Sequence, residues 1–204
     1  MIIVGLGNPG SKYAYHRHTV GHMFVDWVAG QQPHSSWHTD PKKLFDYQKI
    51  TLPTHQAKQP VMLSKSALSM VEGKHPQKEI IIAKTRTFMN ESGKSVLALL
   101  RYFDVGNVNE LLVAHDDLDL IVGVWKLDFA KGPKLHNGIN SIESSNRTNE
   151  FWRLRIGVDN RAPENRMPGD VYVLQDFTSE EREKVSAYFP AMWNKAIEVL
   201  NAEC

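Results

Sequence analysis

The sequence predicts an α/β fold, with a mixed β-sheet flanked by helices, in a single domain over residues 1–204. Short apolar runs bounded by turn residues recur along the chain, as is typical of buried strands. Segments with apolar residues at helical spacing separate these runs, and this alternation is typical of α/β layers. With 204 residues, of which 42% are hydrophobic and 23% charged, the chain can bury one core.

The first half of the chain is predicted to contain several strands and one long helix. The apolar start of the chain reads as a strand and is closed by the turn Gly7-Asn8-Pro9-Gly10. Val20 and Phe24 belong to an apolar helical face. In order, the predicted elements are a strand at 1–6, a helix at 20–29, a loop at 31–40, and strands at 44–52, 60–65 and 79–83. The stretch 66–78 shows no pattern that assigns it.

The second half continues the alternation and ends in a helical region. The predicted elements are a helix from about 90 to 103, a strand at 110–114, an acidic turn at 115–119, a strand at 124–129, a Gly/Pro loop at 131–134 and a strand at 151–158. Thr178-Ser179-Glu180-Glu181 matches a capping box at a helix start. Behind it an apolar stripe through Val185, Phe189 and Ala196 predicts a helix interrupted by Pro190.

Composition and charge exclude several classes of protein. Cys204 is the single cysteine, so no disulfide can form within the chain, which suits a reducing compartment. No apolar run approaches the ~20 residues of a membrane-spanning helix, so no membrane partner is predicted. The N-terminus lacks a signal-peptide or presequence pattern, which predicts the cytosol, with a processed organellar form as the alternative. Because the net charge is +1, any RNA-binding surface must be locally basic.

The segment Gly5-Leu6-Gly7-Asn8-Pro9-Gly10 matches the G-x-G-x-x-G pattern of dinucleotide-binding folds. Those folds need a helix to begin inside the motif, and Pro9 and Gly10 followed by Ser11-Lys12-Tyr13 are a poor start for one. The acidic residue expected about 20 positions later, at the end of a second strand, is also missing. A tight turn is therefore favoured, with Asn8 placed where a ligand could contact it.

Two groups of titratable residues lie near predicted strand ends. His18 stands close to the glycine turn, where open α/β sheets place ligands, and imidazole suits proton transfer near neutral pH. A structural role for such a histidine is the alternative. The acidic segment His115-Asp116-Asp117-Leu118-Asp119 follows another strand. Its carboxylates could hold Mg²⁺, orient a catalytic histidine, or form a solvated turn.

Asparagines and basic residues occur around the same loops. Asn90 either caps the following helix or contacts a ligand, and Asn137 in His136-Asn137-Gly138 either forms a turn or contacts a ligand. An amide offers both a donor and an acceptor, so converging asparagines can hold a substrate without adding charge. The basic residues that could contact phosphates from one shared face are Lys126, Lys131, Lys134, Arg147, Arg153 and Arg155.

Together, these segments resemble the bacterial-type peptidyl-tRNA hydrolases. The resemblance is carried, in the family's order, by Val4-Gly5-Leu6-Gly7-Asn8-Pro9-Gly10 with Tyr13, Arg17-His18 and Val20-Gly21, by Thr87-Phe88-Met89-Asn90 with Ser92-Gly93, by Val113 through Asp119, by His136-Asn137-Gly138 and by Arg153-Leu154-Arg155-Ile156-Gly157. It implies a single α/β domain with a twisted mixed sheet and an esterase that cuts a nascent peptide from the 3′ end of its tRNA. It also implies a monomer without metal or organic cofactor.

The resemblance further implies roles for individual residues. His18 would be the general base that activates water, and Asp116 would orient it. The residues implied to bind substrate are Asn8, Tyr13, Asn90 and Asn137. Of these, Tyr13 would line the pocket beside the 3′ adenosine, and Asn90 would orient the peptide or stabilise the oxyanion. The residues expected to contact tRNA phosphates are Lys126, Lys131, Lys134 and Arg155.

The sequence departs from the family pattern in three places. Thr19 stands where Asn is common, and the loop Lys131-Gly132-Pro133-Lys134-Leu135 stands where the family usually has a loop rich in glycine and histidine. The stretch 52–78 is longer than in short members. The main alternative is a catalytically inactive RNA- or ribosome-binding module on the same fold. A metal-dependent phosphohydrolase built on the acidic segment and a nucleotide-dependent oxidoreductase are further alternatives. Retention of His18, Asp116 and the three asparagines together favours the hydrolase.

Overall fold

A computed structural model describes residues 1–32, 36–52, 78–162, 164 and 167–202 of the chain. Its strands are β1 (Ile2–Gly5), β2 (His38–Thr39), β3 (Phe45–Leu52), β4 (Lys78–Thr85), β5 (Leu111–Ile121), β6 (Trp125–Phe129) and β7 (Trp152–Asp159). Its α-helices are α1 (Val20–Gly30), α2 (Ser92–Tyr102), α3 (Asn137–Asn146), α4 (Gly169–Tyr172), α5 (Ser179–Ser186) and α6 (Phe189–Ala202). Short 3₁₀ helices lie at Ser11–Tyr13, Arg17–Thr19, Met89–Glu91 and Val108–Glu110.

The seven strands form one mixed sheet in the order β2-β3-β4-β1-β5-β7-β6. The central strands β4, β1, β5 and β7 run parallel, whereas β3 and β6 pair antiparallel with their inner neighbours. Because β1 lies between β4 and β5, the carboxyl ends of these three strands meet at one edge. Open α/β sheets bind ligands at such an edge. The predicted class, an α/β fold with a mixed sheet flanked by helices, is confirmed.

Helices cover both faces of the sheet, and each face has its own apolar core. Phe24 of α1 and Phe189 of α6 pack in the core on one face. Leu99 of α2 and Ile142 of α3 pack in the core on the other. Burying such side chains stabilises the fold by roughly 1.5–3 kcal/mol each. Strands covered on both sides need apolar residues at every position, which explains the consecutive isoleucines of β4.

Two glycines allow α1 to begin directly against the end of β1. A Cβ on Gly5 would lie 2.2 Å from the carbonyl oxygen of Gly21, and a Cβ on Gly21 would lie 2.2 Å from that of Ala114. Neither position has room for a side chain. This close approach fixes the start of α1, and therefore the 3₁₀ helix Arg17–Thr19 before it, against the carboxyl ends of β1 and β5.

Several sequence assignments differ from the structure. The acidic segment 115–119, predicted as a turn, lies inside β5, which pairs with β7. Asn137, for which a turn was one alternative, begins α3. The C-terminal stripe is two helices, and Pro190 lies in the first turn of α6, where its missing amide hydrogen costs nothing. The predicted strand at 60–65 and the stretch 66–78 fall outside the described residues, except for Lys78, which begins β4.

Candidate active site

A cleft of about 1170 Å³ opens at the carboxyl ends of β1, β4 and β5 and at the start of α3. Its lining residues include Asn8, His18, Phe88, Met89, Asn90, Asp116, Leu118, Leu135, His136 and Asn137. Residues 169–175, here named the cleft wall, complete the lining, and all of them except Tyr172 line the cleft. The cleft therefore brings together residues from five parts of the sequence.

Two histidines share one carboxylate oxygen in the buried part of the cleft. His18 Nδ1 and His136 Nε2 each lie 2.8 Å from Oδ1 of Asp116. The exposed fractions are 7% for His18, 2% for Asp116 and 6% for His136. The two imidazole centroids are 4.9 Å apart. His18 and Asp116, predicted separately from sequence, are thus in direct contact across 98 positions of the chain.

The hydrogen bonds of His136 determine which nitrogen carries its proton. His136 is the N-cap of α3, and its Nδ1 accepts hydrogen bonds from the amides of Gly138 at 3.1 Å and Ile139 at 3.2 Å. An accepting nitrogen cannot carry a hydrogen, so the proton is on Nε2 and is donated to Asp116. Asp116 also accepts a hydrogen bond from a second nitrogen, Nδ1 of His18. Nε2 of His18 remains as the basic nitrogen.

The charges of His18 and Asp116 support each other. Burial lowers the pKa of His18, but the negative charge of Asp116 and the hydrogen bond to it outweigh burial, so the pKa is raised above its ordinary value. Burial raises the pKa of Asp116, but the two imidazoles and their hydrogen bonds hold it well below its usual range. Asp116 is therefore ionised at neutral pH and stabilises a proton on His18.

The three predicted asparagines all line the cleft. Asn8 is buried, and its Oδ1 accepts a hydrogen bond from the Met89 amide at 2.9 Å. Its NH₂ group is therefore the part of the side chain that can donate to a substrate. Asn90 and Asn137 are exposed. The N-cap of α2 is Glu91, without a side-chain cap, so the helix-cap alternative for Asn90 is wrong.

Tyr13 lies beside the cleft and is not among its lining residues. Its ring packs edge-to-face on Phe88 with 6.2 Å between centroids, and on His16 with 5.1 Å. Phe88 is 52% exposed and does line the cleft. Tyr13 therefore supports the rim through Phe88 and does not line the pocket as expected.

Three of the four predicted phosphate-binding residues are exposed around one loop. Lys126 is on β6, and Lys131 and Lys134 are on the loop that joins β6 to α3. The side chain of Lys134 is 88% exposed, and its ammonium is 3.8 Å from a carboxylate oxygen of Asp119. The loop that carries Lys131 and Lys134 continues into Leu135, which is 85% exposed and lines the cleft.

Arg155, the fourth predicted phosphate contact, is in a different environment. It is only 7% exposed, and its guanidinium donates to Asp117 at 2.7 Å and to Asp128 at 2.9 Å. Gly132 packs on the guanidinium so closely that a Cβ there would lie 2.4 Å from Cζ. Because two carboxylates and the loop enclose the side chain, its position does not support a phosphate contact. We therefore interpret Arg155 as a residue that holds the loop, and its expected phosphate contact stays a prediction.

The carboxylates of the acidic segment do not converge on a cation site. Side chains alternate along a strand, so Asp116 and Asp117 lie on opposite faces of β5. Asp117 pairs with Arg155, and Asp119 accepts a hydrogen bond from the Lys134 amide at 3.1 Å. The alternative of a metal-dependent phosphohydrolase therefore lacks the converging carboxylate ligands that it requires. The dinucleotide-binding alternative also lacks its helix, because two short 3₁₀ helices, Ser11–Tyr13 and Arg17–Thr19, follow the glycine motif before α1.

One group of potential metal ligands does lie together in the described part of the chain. His18, Asp116 and His136 offer one ligand atom each within 4.8 Å of one another. In the hydrogen-bonded arrangement, both nitrogens facing Asp116 carry protons. A metal ion bound by these atoms would have to displace both protons, so we interpret the group as a hydrogen-bonded one. Chelation of metal ions tests this interpretation below.

Sequence reasoning missed His136 and the cleft wall as parts of the site. A signal for His136 existed, because it precedes the helix α3, whose first amides need an N-cap acceptor. The cleft wall carries no comparable signal. It contains Asp170 and Tyr172 but no recognisable motif, and only the tertiary structure brings it next to His18.

The fold and the site together define a class of protein. It is an α/β protein in which an imidazole, hydrogen-bonded to a buried carboxylate, stands at the carboxyl edge of parallel strands. None of the described residues that line the cleft is a serine or cysteine. Such a site is suited to activating water directly, without a covalent intermediate.

Comparison with known proteins identifies the family. A family model described as peptidyl-tRNA hydrolase matches residues 2–203. The peptidyl-tRNA hydrolase of Rhodococcus erythropolis is 35% identical over 184 residues, covering 90% of this chain and 83% of the relative. That of Mycobacterium sp. (strain KMS) is 34% identical over 185 residues, covering 91% and 82%. The chain belongs to the peptidyl-tRNA hydrolase family.

Solved structures agree with this assignment. The crystal structure of peptidyl-tRNA hydrolase from Acinetobacter baumannii has a TM-score of 0.74 and 26% identity, covering 98% of this chain and 92% of that chain. A crystal structure of a peptidyl-tRNA hydrolase in complex with N-propanol has a TM-score of 0.71 and 28% identity, covering 93% and 82%. The predictions of the family and of a hydrolytic enzyme of this kind are confirmed. Among the described residues, no helix is long and apolar enough to cross a bilayer.

Proposed function

We propose that this protein hydrolyses the ester between a peptide and the 3′ end of tRNA, with His18 as general base and Asp116 as the residue that orients it. The observation that carries this proposal is the 2.8 Å hydrogen bond between His18 Nδ1 and Asp116 Oδ1 inside the cleft. Nε2 of His18 takes a proton from water as the water oxygen attacks the ester carbonyl. The charge of Asp116 stabilises the imidazolium formed in this step.

The second half of the reaction needs a proton on the leaving oxygen. The tetrahedral intermediate collapses when the bond from the carbonyl carbon to the ribose oxygen breaks. His18 returns its proton to that oxygen, which regenerates the base and releases tRNA with a free ribose hydroxyl. The same imidazole therefore serves as base and then as acid, and the peptide leaves with a carboxylic acid end, which loses its proton to solvent at neutral pH.

The asparagines supply neutral contacts to the substrate. The NH₂ group of Asn8, and the exposed amides of Asn90 and Asn137, donate to ester, peptide or ribose oxygens. Asn90 either orients the peptide or stabilises the oxyanion. A loss of kcat at unchanged KM in Asn90→Ala indicates the oxyanion, whereas a raised KM indicates the peptide.

The rim of the cleft is apolar, which favours a broad range of peptides. The large hydrophobic residues that are exposed there are Phe88, Leu135, Val171 and Leu174. The acidic residues that line the cleft are Asp116 and Asp170, and no lysine or arginine is among the described residues that line it. Without such a side chain to select an acidic peptide, selectivity comes from the tRNA end and the peptide backbone.

We propose that Lys126, Lys131 and Lys134 contact tRNA phosphates. All three are exposed, and the loop that carries Lys131 and Lys134 leads into the cleft at Leu135. Phosphate contacts require only mobile positive charge on a shared face, and lysine supplies it. Arg155 is left out of this surface because its guanidinium is engaged by two carboxylates.

We further propose that the enzyme acts in the cytosol, as a monomer and without a metal ion. The single cysteine supports a reducing compartment such as the cytosol. The hydrogen-bonded nitrogens that face Asp116 support a site without a metal ion. Light scattering tests the monomer, because a mass near twice 23.2 kDa contradicts it.

The activity is tested by release of the acyl group from an N-acetyl-aminoacyl-tRNA in the presence of EDTA. We expect hydrolysis to continue at the rate measured without chelator. Binding of the tRNA without hydrolysis instead indicates the inactive binding module. Hydrolysis that stops in EDTA and returns with a divalent ion indicates a metal at the His18, Asp116 and His136 group.

A further inference from the structure

The backbone of residues 15–18, which ends at the candidate base His18, pairs with residues 173–177, at the end of the cleft wall and just after it. The amide of His18 donates to the carbonyl of Val173 at 2.9 Å, and the amide of Arg17 donates to that of Gln175 at 3.0 Å. The amide of Phe177 donates back to the carbonyl of Tyr15 at 2.9 Å. The backbone of His18 is therefore hydrogen-bonded directly to the cleft wall.

A buried ion pair lies behind this pairing. Arg17 and Glu181 are 4% and 7% exposed, and Nη2 of Arg17 is 2.6 Å from Oε2 of Glu181. The other terminal nitrogen, Nη1, donates to the carbonyls of Gln175 and Asp176. A single guanidinium thus joins the residue before His18, the end of the cleft wall and α5.

Glu181 is held in place by contacts of its own. Its Oε2 also accepts the amide of Thr178 at 2.8 Å, which completes the capping box of α5, and its Oε1 accepts from Asn160 at 3.1 Å. Burial raises the pKa of Glu181, but these bonds together with Arg17 bring it below its ordinary value. The carboxylate is therefore ionised at neutral pH and anchored to both α5 and the segment after β7.

The cleft wall is fixed by the same arginine through Tyr172. The guanidinium of Arg17 lies 4.2 Å from the centroid of the Tyr172 ring, and that of Arg161 lies 5.2 Å from it. The Tyr172 hydroxyl accepts the amide of Asn160 at 3.1 Å. A buried cation over the face of an aromatic ring is attracted to it, so Arg17 stabilises the wall as well as the His18 segment.

We propose that Arg17 is a positioning residue for the hydrolysis: through its ion pair with Glu181 it sets the position of His18 relative to Asp116 and the cleft wall. Arg17 does not line the cleft, so it acts through His18 and not on the substrate. A displacement of a reacting group by about 1 Å can lower the rate by about a hundredfold. A loosened Arg17 is therefore expected to lower kcat, whereas KM depends on contacts that remain.

The test is Glu181→Gln, which keeps the shape of the side chain and removes its charge. We expect kcat for N-acetyl-aminoacyl-tRNA to fall by about ten- to a hundredfold at little-changed KM. By NMR without substrate, the proton on His18 Nδ1, protected by Asp116 in the wild type, is expected to broaden through exchange with solvent. The matched control is Glu143→Gln, which breaks the 2.7 Å pair of Glu143 with Arg153 away from His18 and is expected to leave kcat and this proton unchanged.

A folded Glu181→Gln with unchanged kcat, a loss confined to KM, or an equal loss in Glu143→Gln overturns the inference. Should Glu181→Gln fail to fold, Arg17→Lys is measured in its place, since lysine can pair with Glu181 but cannot hold both carbonyls as well. The inference rests on the proposed hydrolysis. If the wild type does not hydrolyse the substrate, the proposed function fails, while the His18 proton still reports whether the ion pair positions the imidazole.

Discussion

Asp116 Oδ1 accepts hydrogen bonds from His18 and His136, both at 2.8 Å, so one nitrogen of each imidazole is occupied by the carboxylate. His136 caps α3 through Nδ1 and faces Asp116 with Nε2, so its hydrogen bond fixes the direction of the carboxylate. The charge of Asp116 and its hydrogen bond to His18 raise the pKa of His18. At the scale of single residues, the three side chains form a hydrogen-bonded group that leaves Nε2 of His18 to contact water.

Replacing Asp116 by Asn is expected to change both the size and the pH dependence of the rate. A general base works in its unprotonated form, so activity rises as pH passes upward through the pKa of His18. Since Asp116 raises that pKa, Asp116→Asn lowers it, and the acidic limb of kcat/KM moves to lower pH. The plateau falls by about a hundredfold or more, because the imidazole loses its oriented acceptor. A limb that stays in place or moves to higher pH contradicts the assignment of the limb to His18.

Replacing His136 by Leu is expected to cost stability as well as rate. The variant leaves the amides of Gly138 and Ile139 without their cap and removes one donor from the buried carboxylate. A lost cap costs about 1 kcal/mol, and a buried charged group that loses a hydrogen bond costs a similar amount or more. Urea denaturation at neutral pH measures this loss. An undiminished free energy of unfolding contradicts the role of His136 as cap and donor.

The basic residues near the loop between β6 and α3 are of two kinds, enclosed on the strand and exposed on the loop. Arg155 on β7 is enclosed by Asp117, Asp128 and Gly132, whereas Lys131 and Lys134 project from the loop into solvent. Nη1 of Arg153, also on β7, donates to the Gly132 carbonyl. The strand thus holds the loop, and the loop presents the lysines beside the cleft.

Removing Lys134 is expected to weaken tRNA binding and its salt dependence together. If its ammonium neutralises one phosphate, Lys134→Ala lowers the slope of log Kd against log salt by about one unit. Fluorescence titration of tRNA at several salt concentrations measures the slope. Lys195→Ala is the matched control, because Lys195 lies on α6 and pairs with Glu198. Equal slopes for Lys134→Ala and the wild type contradict the phosphate contact.

Replacing Arg155 by Gln is expected to affect stability more than the salt slope. The variant leaves Asp117, which is 1% exposed, without its cation. Breaking one side of a buried ion pair costs about 3 kcal/mol. Denaturation in urea checks the loss. A fully stable variant whose salt slope falls by about one unit shows instead that Arg155 contacts phosphate.

The sequence predicted most elements, and the misses have physical causes. The composition of the acidic segment 115–119 predicts a turn because carboxylates favour solvent, yet Asp116 and Asp117 are buried in β5 with histidines and Arg155 as partners. The partners lie far away in sequence, so local composition cannot reveal them. Asn137-Gly138 is typical of a turn, whereas the structure starts α3 there, with a histidine as the N-cap.

At the scale of the whole molecule, the site depends on contacts between distant parts of the chain. The alternation of strands and helices predicts the α/β class, but not the sheet order that puts β1 between β4 and β5. Arg17 and Glu181 are 164 positions apart, and the cleft wall meets His18 only because the C-terminal region folds back over the carboxyl edge of the sheet. The motifs identified His18, Asp116 and the asparagines as site residues. The position of the cleft wall and the pairing of Arg17 with Glu181 required the tertiary structure.

The most direct test of the general-base mechanism is single-turnover hydrolysis of N-acetyl-aminoacyl-tRNA by the wild type and by His18→Ala, in EDTA. The mechanism predicts that the wild type releases the acyl group and that His18→Ala binds the tRNA as well but reacts at least ~100-fold more slowly. Hydrolysis by His18→Ala at a rate close to that of the wild type contradicts His18 as the base.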